Sequence, residues 1–82
     1  MPPPDDLPPW IQQHRWAVGQ RLRTLRLDKG LTQMQLGTRA EIDNKTISRI
    51  ENGRYPTSID QIARLARALG VPSYKLFHDC DP

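Results

Sequence analysis

Five hydrogen-bonding side chains share one face of the segment 43–52, which has the pattern of a short helix. At about 100° per residue, Ile47 and Ile50 point to an opposite, apolar face, and Ile42 packs just before the helix begins. The polar face carries Asn44, Lys45, Ser48, Arg49 and Asn52. A helix that is buried on one side and offers Asn, Lys and Arg on the other suits the major groove of DNA, so this segment is the candidate for sequence recognition.

The polar residues suit different contacts with a duplex. An Asn side chain can pair with adenine through two hydrogen bonds, and Lys or Arg can reach O6 and N7 of guanine. A Thr or Ser side chain can add a methyl contact or a hydroxyl hydrogen bond. We predict base contacts from Asn44, Lys45, Thr46, Ser48 and Arg49. Residue type alone does not separate base contacts from phosphate contacts, so both stay open for each of them.

A long helix precedes this segment and a short one adjoins it. The first is predicted from near Trp10 to about Lys29, where Gly30 ends it. Its apolar stripe consists of Ile11, Val18, Leu22 and Leu25. Thr32 followed by Gln35 is a capping-box pattern, which opens a second helix that ends near Ala40.

The two central helices are predicted at about 32–40 and 43–52. Glu41 and Ile42 form the turn between them, and Asp43 caps the second of the pair, which stops at Gly53.

Two further helices are predicted after position 57. Ser58 and Gln61 form another capping box, and Gly70 ends the helix that it opens. The expected inner residues are Ile59, Ile62, Ala63, Leu65, Ala66 and Leu69. Pro72 blocks continuation, and Ser73 is predicted to cap a short fifth helix through about Phe77. Because no strand pattern and no repeat occurs, the expected fold is an all-α five-helix bundle.

The chain ends differ from this helical region in composition. Residues 1–9 contain five prolines, which predicts a flexible proline-rich arm rather than a helix or sheet. Residues 10–77 then form the single folded domain, and 78–82 form a tail without a pattern.

Positive charge is concentrated beside the candidate recognition segment. The formal net charge is +3, but residues 11–54 hold nine Lys and Arg against four Asp and Glu. Residues 1–10 hold two acids and no base, and residues 55–82 hold three of each sign. The excess therefore lies where a polyanion would bind, although a solvated basic face is the simpler alternative.

Several other classes of protein are disfavoured. No apolar run approaches the length needed to cross a membrane, and Cys80 is the only cysteine, so we expect a cytoplasmic protein without an internal disulfide. His14, His78 and Cys80 lack the spacing of a metal site. No phosphate-binding loop or nucleophile motif is present. We therefore predict neither an enzyme nor a cofactor or metal.

Three separated blocks occur in an order that is typical of a known family. They are Gly-Leu-Thr-Gln at 30–33, Ile-Ser-Arg-Ile-Glu-Asn-Gly at 47–53 and Leu-Ala-Arg-Ala-Leu-Gly-Val-Pro at 65–72. With these blocks the chain resembles the Cro/C1-type helix-turn-helix family of phage repressors and bacterial regulators, from about Val18 to Phe77. The resemblance implies a bundle like that of the lambda repressor, with the third helix in the major groove.

The resemblance also implies roles outside the recognition face. Gln33, in the first turn of the second helix, matches a glutamine that anchors the DNA backbone. Asn52, Gly53 and Arg54 lie where the family makes its other phosphate contacts, although Gln33 could be a simple first-turn residue and Arg54 a solvated one. By the same analogy, Arg26 and Glu51 form a partly buried ion pair between the first and third helices.

Two positions depart from the family pattern. Glu41 stands where the turn usually has glycine, and a left-handed conformation there costs a non-glycine residue about 1 kcal/mol. Gly37 stands where the family prefers alanine, which loses roughly 1 kcal/mol of helix propensity.

These observations favour a sequence-specific regulator of transcription, most simply a repressor, that reads an inverted-repeat operator as a homodimer. Val71, Tyr74, Leu76 and Phe77 are the candidate dimer surface, unless they close the core. One alternative is the antitoxin of a toxin–antitoxin pair that represses its own operon. The other is a protein-interaction module without DNA binding, which would use the proline-rich arm or the C-terminal helix.

Overall fold

Four α-helices and one short 3₁₀ helix make up the part of the chain that the computed structural model describes, residues 7–77. In chain order they are α1 (Pro9–Asp28), α2 (Gln33–Ala40), α3 (Asn44–Glu51), α4 (Ile59–Leu69) and the 3₁₀ helix (Ser73–Leu76). No strand occurs between residues 7 and 77, so the all-helical prediction is confirmed there. Most of the predicted arm, residues 1–6, and the predicted tail, 78–82, lie outside the described residues.

The helix starts follow the local sequence. Both predicted capping boxes are present, at Thr32 with Gln35 and at Ser58 with Gln61. In each, the hydroxyl accepts a hydrogen bond from the backbone N–H three residues on, and the glutamine side-chain oxygen accepts one from the backbone N–H of the capping residue. The Asp43 carboxylate accepts from the N–H of Lys45 and begins α3. These bonds satisfy donors that a helix start leaves without partners.

The predicted fifth α-helix is wrong. Residues Ser73–Leu76 form one 3₁₀ turn, Pro72 occupies the position before it, and no side chain caps it. No side-chain hydrogen bond satisfies the donors at this helix start, and short segments of three or four residues commonly adopt the tighter 3₁₀ geometry. Leu76 is fully buried and closes the core, so it does not belong to the predicted dimer surface, whereas Tyr74 and Phe77 are exposed.

One hydrophobic core joins all these elements. α1 packs mainly on α3, and α2 packs on both α3 and α4. Leu22, Leu36, Ile47, Ile50, Leu65 and Leu76 are its largest fully buried side chains. Burial of Ile47 and Ile50 in this core therefore fixes the apolar face of α3 and leaves its opposite face accessible to solvent.

Two residues predicted to lie on the inner side of α4 are exposed. Ile59 keeps 86% of its surface accessible, and Ala63 is also exposed. Ile59 is the first residue of α4, and the buried residues of this helix begin one turn later with Ile62, so its apolar character does not place it in the core.

Candidate nucleic-acid interface

α3 has one buried side and one open side. Ile47 and Ile50 are almost completely buried, whereas Lys45, Arg49 and Asn52 are exposed. The other predicted base-contact residues, Asn44, Thr46 and Ser48, are half-buried along the two edges of the exposed strip. The structure thus leaves the cations Lys45 and Arg49 exposed and the other three predicted base-contact residues partly accessible.

Asn52 continues this surface at the end of α3. Its side-chain amide donates to the backbone oxygen of Ser48 over 2.9 Å and lies 3.5 Å from the Ser48 hydroxyl. The Asn52 side-chain oxygen accepts no hydrogen bond from residues 7–77. These bonds hold the Asn52 amide against the helix instead of extending it into solvent.

Arg26 and Glu51 meet in a buried fork between α1 and α3. The distances are 2.6 Å from Arg26 Nε to Glu51 Oε2 and 3.0 Å from Nη2 to Oε1. Arg26 Nη1 also donates to the backbone oxygen of Leu31 over 2.9 Å. The hydrogen bond to Glu51 is the main reason that the pKa of Arg26 lies above its ordinary value. This pair anchors the end of α3 to α1 and to the start of α2.

Gln33 joins the same network from the first turn of α2. Its Nε2 donates to Glu51 Oε1 over 3.1 Å, and the residue is half-buried. Glu51 Oε1 therefore accepts from both Arg26 and Gln33. The sequence indicated a Gln33 side chain at a helix start but gave no sign of this bond, because the two residues are 18 positions apart.

The turn after α3 is held by the beginning of α1. Gly53 has a φ of 70°, and Gln12 Nε2 donates to its backbone oxygen over 2.7 Å. Trp16 packs directly on Gly53, since an added Cβ there would lie 3.0 Å from the Trp16 Cα. Arg54 is exposed next to this turn. No local pattern in the sequence indicated the Gln12 bond or the packing of Trp16 on this particular turn.

Glycine allows α1 and α3 to approach without an intervening side chain. A Cβ at Gly19 would overlap the carbonyl oxygen of Ile50. This role of Gly19 was not predicted, although a glycine inside a helical pattern is itself a sign of close backbone approach. This contact sets the distance between α1 and α3, the helix that carries the candidate recognition surface.

The turn between α2 and α3 gives a reason for glycine at position 37 but none for glutamate at position 41. Glu41 has a φ of 57° and is the only described non-glycine residue with a positive φ. At Gly37 an added Cβ would lie 2.5 Å from the backbone oxygen of Ile42. Glycine at position 37 is thus required by space, and the lost helix propensity is the smaller effect.

Two other kinds of site are absent from the described residues. Among residues 7–77 no group of His, Cys, Asp and Glu could hold a metal ion. None of the described helices is both long and apolar enough to cross a membrane.

Comparison with known proteins agrees with this geometry. The family model described as a helix-turn-helix domain matches residues 17–74. The chain belongs to the helix-turn-helix domain family. As a member, it matches the immunity repressor protein of Bacillus phage phi105 at 37% identity over 55 residues, which is 67% of this chain and 38% of that repressor. The chain therefore spans about two fifths of this relative.

Two solved structures share the helix-turn-helix fold over most of their length. The restriction-modification controller protein C.AhdI from Aeromonas hydrophila has a TM-score of 0.76 at 36% identity, covering 77% of this chain and 96% of C.AhdI. The hypothetical transcription factor NHTF from Neisseria has a TM-score of 0.77 at 31% identity, covering 92% and 85%. The prediction of a helix-turn-helix domain is confirmed.

Proposed function

We propose that this chain is a transcriptional regulator that binds double-stranded DNA sequence-specifically with α3 in the major groove. The observation that carries the proposal is the exposed strip of Lys45, Arg49 and Asn52, held outward by the buried Ile47 and Ile50. A rigid helix with cationic groups on its open side can present them to base edges. Relatives named as an immunity repressor and as a restriction-modification controller support a regulatory role, and repression is the mode that we propose.

We assign base contacts to the exposed cations of α3 and to the polar residues beside them. Arg49 has a planar fork suited to O6 and N7 of guanine, and Lys45 can reach the same atoms as a single charge. Asn44, Thr46 and Ser48 lie beside these cations and adjust the preference for particular base pairs.

Phosphate contacts are assigned to the two ends of the interface. At one end, Gln33 lies in the first turn of α2, where backbone N–H groups and the helix dipole favour an anion. Its Nε2 donates one hydrogen to Glu51, which leaves a second hydrogen for a phosphate oxygen. At the other end, the turn of Asn52, Gly53 and Arg54 supplies the exposed Arg54 guanidinium, since the three backbone N–H groups of the turn already donate to α3.

The proposal includes a homodimer on an inverted-repeat operator. One domain touches few base pairs, so two copies with α3 helices about 34 Å apart would give useful affinity and would read two half-sites one helical turn apart. With Leu76 in the core, Val71, Tyr74 and Phe77 remain as candidates for the contact between copies; Val71 is half-buried, and the two aromatic residues are exposed.

The decisive experiment is selection from a randomised duplex library, followed by titration of the selected duplex at several salt concentrations. We expect one enriched inverted repeat and an affinity that falls steeply with salt, because phosphate contacts release counterions. Arg67→Ala is the matched control for Arg49→Ala, since Arg67 is an exposed arginine of α4. Equal losses from the two variants would show that only overall charge matters. Absence of salt-dependent binding to any duplex would instead support a protein-interaction module.

A further inference from the structure

Trp16 is fixed beside the turn that follows α3. An added Cβ at Gly53 would lie 3.2 Å from the Trp16 Cβ, which places the base of the indole side chain against the turn. One helical turn before Trp16, Gln12 donates to the oxygen of Gly53, and one turn after it, Gln20 Nε2 lies 3.5 Å from the oxygen of Glu51. The side chain therefore stands between two amides that bind the end of α3.

The indole ring itself is largely open to solvent. Trp16 is 58% exposed, and its N–H has no hydrogen-bond partner within residues 7–77. It borders a shallow hollow on the outer side of α1, together with Ala17, Gln20, Arg21 and Thr24. An exposed indole combines a flat apolar surface with one hydrogen-bond donor, and such a group is suited to a surface that is apolar in one part and a strong acceptor in another.

The other tryptophan has different surroundings. Trp10 lies six residues earlier and stacks edge-on against His14 with ring centroids 6.1 Å apart. No close approach to the turn at Gly53 involves it. The two indoles are therefore natural internal controls for each other.

Trp16 also lies outside the part of the chain that matches the family. The family match begins at residue 17, whereas α1 begins at Pro9. The first two turns of α1 thus precede the residues that the family model matches, and Gln12 and Trp16 attach these turns to the proposed phosphate-binding turn.

We propose that Trp16 is a further contact to the DNA backbone. The indole N–H donates to a phosphate adjacent to the one bound by the turn of Asn52, Gly53 and Arg54, and the ring covers the neighbouring sugar. This inference rests on the proposed DNA binding. It is favoured over a protein partner because the indole is continuous with that turn and with the exposed Arg54. Neutral side chains contribute such phosphate contacts beside Lys and Arg.

Fluorescence quenching tests this contact directly. In the full chain carrying Trp10→Phe, Trp16 is the only tryptophan. We expect the selected duplex to reduce acrylamide quenching of Trp16 at least about twofold. In the matched control Trp16→Phe, which keeps only Trp10, the duplex should leave the quenching unchanged. Binding of labelled duplex is followed in parallel by fluorescence anisotropy of the label.

Affinity gives a second readout. Because Trp16→Phe keeps a ring but removes the N–H, it should weaken selected and scrambled duplexes alike by about threefold to tenfold, the range of one lost hydrogen bond. The salt dependence should be unchanged, since no charge is removed. If the duplex binds but Trp16 stays fully quenchable, or Trp16→Phe binds as tightly as the parent chain, the contact is refuted and the proposed function stands.

Two other results have distinct meanings. If no duplex binds by anisotropy, the proposed function and the contact fail together. If Trp16 becomes protected without DNA as the protein concentration rises, the indole belongs to an interface between two copies, and the backbone contact is refuted.

Discussion

Gln33 and Glu51 are joined across the two helices of the helix-turn-helix by a hydrogen bond of 3.1 Å. The same carboxylate oxygen of Glu51 accepts from Arg26 over 3.0 Å. The residue proposed to hold a phosphate is thus attached to the ion pair that holds α1 against α3. A change in this ion pair should affect both the stability of the domain and the position of the Gln33 amide.

Removal of one ion-pair partner should strongly destabilise the domain. Arg26→Ala and Glu51→Ala each leave an uncompensated buried charge, so each should reduce the free energy of unfolding by about 3–5 kcal/mol. The double variant should lose clearly less than the sum of the two. Urea denaturation measures all three, with the exposed Arg23→Ala as a control that should change little. Small and strictly additive losses would contradict the coupling.

Gln33→Ala and Arg49→Ala should change DNA binding in different ways. Gln33 serves the backbone, so its loss should weaken every duplex by a similar factor. Arg49→Ala should cost about 1–3 kcal/mol on the selected operator, with much less loss on scrambled duplex, and should relax the preference at one base pair per half-site. Titrations at one fixed salt concentration compare the two. Equal losses on both duplexes for Arg49→Ala would make its guanidinium a phosphate contact.

Substitutions at Glu41 and at Gly37 should change the free energy of unfolding in opposite directions. Glu41→Gly should raise the free energy of unfolding by about 0.5–1 kcal/mol, because glycine adopts the positive φ without strain. Glu41→Ala removes the same charge but keeps the strain, so it should not stabilise. Gly37→Ala should destabilise by about 1–3 kcal/mol despite its better helix propensity, because its Cβ would meet the Ile42 oxygen. Thermal unfolding measures each variant, and stabilisation by Gly37→Ala would be inconsistent with this packing.

The two isoleucines at the start of α4 should differ sharply. Ile59 is 86% exposed and Ile62 only 6%. Ile59→Ala should therefore change the free energy of unfolding by no more than about 0.5 kcal/mol, whereas Ile62→Ala should cost about 2–5 kcal/mol. Chemical denaturation of the two variants decides the matter. A large loss from Ile59→Ala would mean that this side chain is covered, for example by a second copy of the chain.

Assembly can be tested at the exposed aromatic residues. If Tyr74 and Phe77 join two copies, Phe77→Ser should shift the sedimentation behaviour toward a monomer and weaken binding to an inverted repeat more than to a single half-site. Leu76 is not a suitable test residue, because its burial makes any substitution a core change. A parent chain that is monomeric both free and on its best duplex would exclude the dimer.

Local features of this fold could be predicted from the residues themselves. The long-range contacts could not, apart from the Arg26–Glu51 pair, which the family resemblance implied and the structure shows. Thr32 with Gln35 and Ser58 with Gln61 each settle a helix start within four residues, so those patterns gave the correct boundaries. Gln12 reaches Gly53 across 41 positions, and no periodicity encodes that bond. The apolar type of Ile59 suggested burial, but burial depends on the neighbouring helix, which is absent from a local pattern.

The same distinction holds at the candidate site. The polar strip of α3 could be recognised because the buried Ile47 and Ile50 define the opposite face. What supports the strip, namely the Gln33 bond to Glu51 and the packing of Trp16 on the next turn, involves residues from three elements. Such support follows from the packing of both α1 and α2 against α3, which sequence periodicity does not describe.

The approach of α1 to α3 at Gly19 has a mechanical consequence. Where backbone meets backbone, there is no side chain whose rotamer can change, so the angle between the two helices has little freedom. We therefore expect the recognition surface to meet a duplex as a rigid template. Any mismatch in curvature or groove width would then be corrected by bending or twisting the DNA, whose stiffness varies with its sequence. Base pairs that the protein never touches would in that case contribute to which operator it prefers.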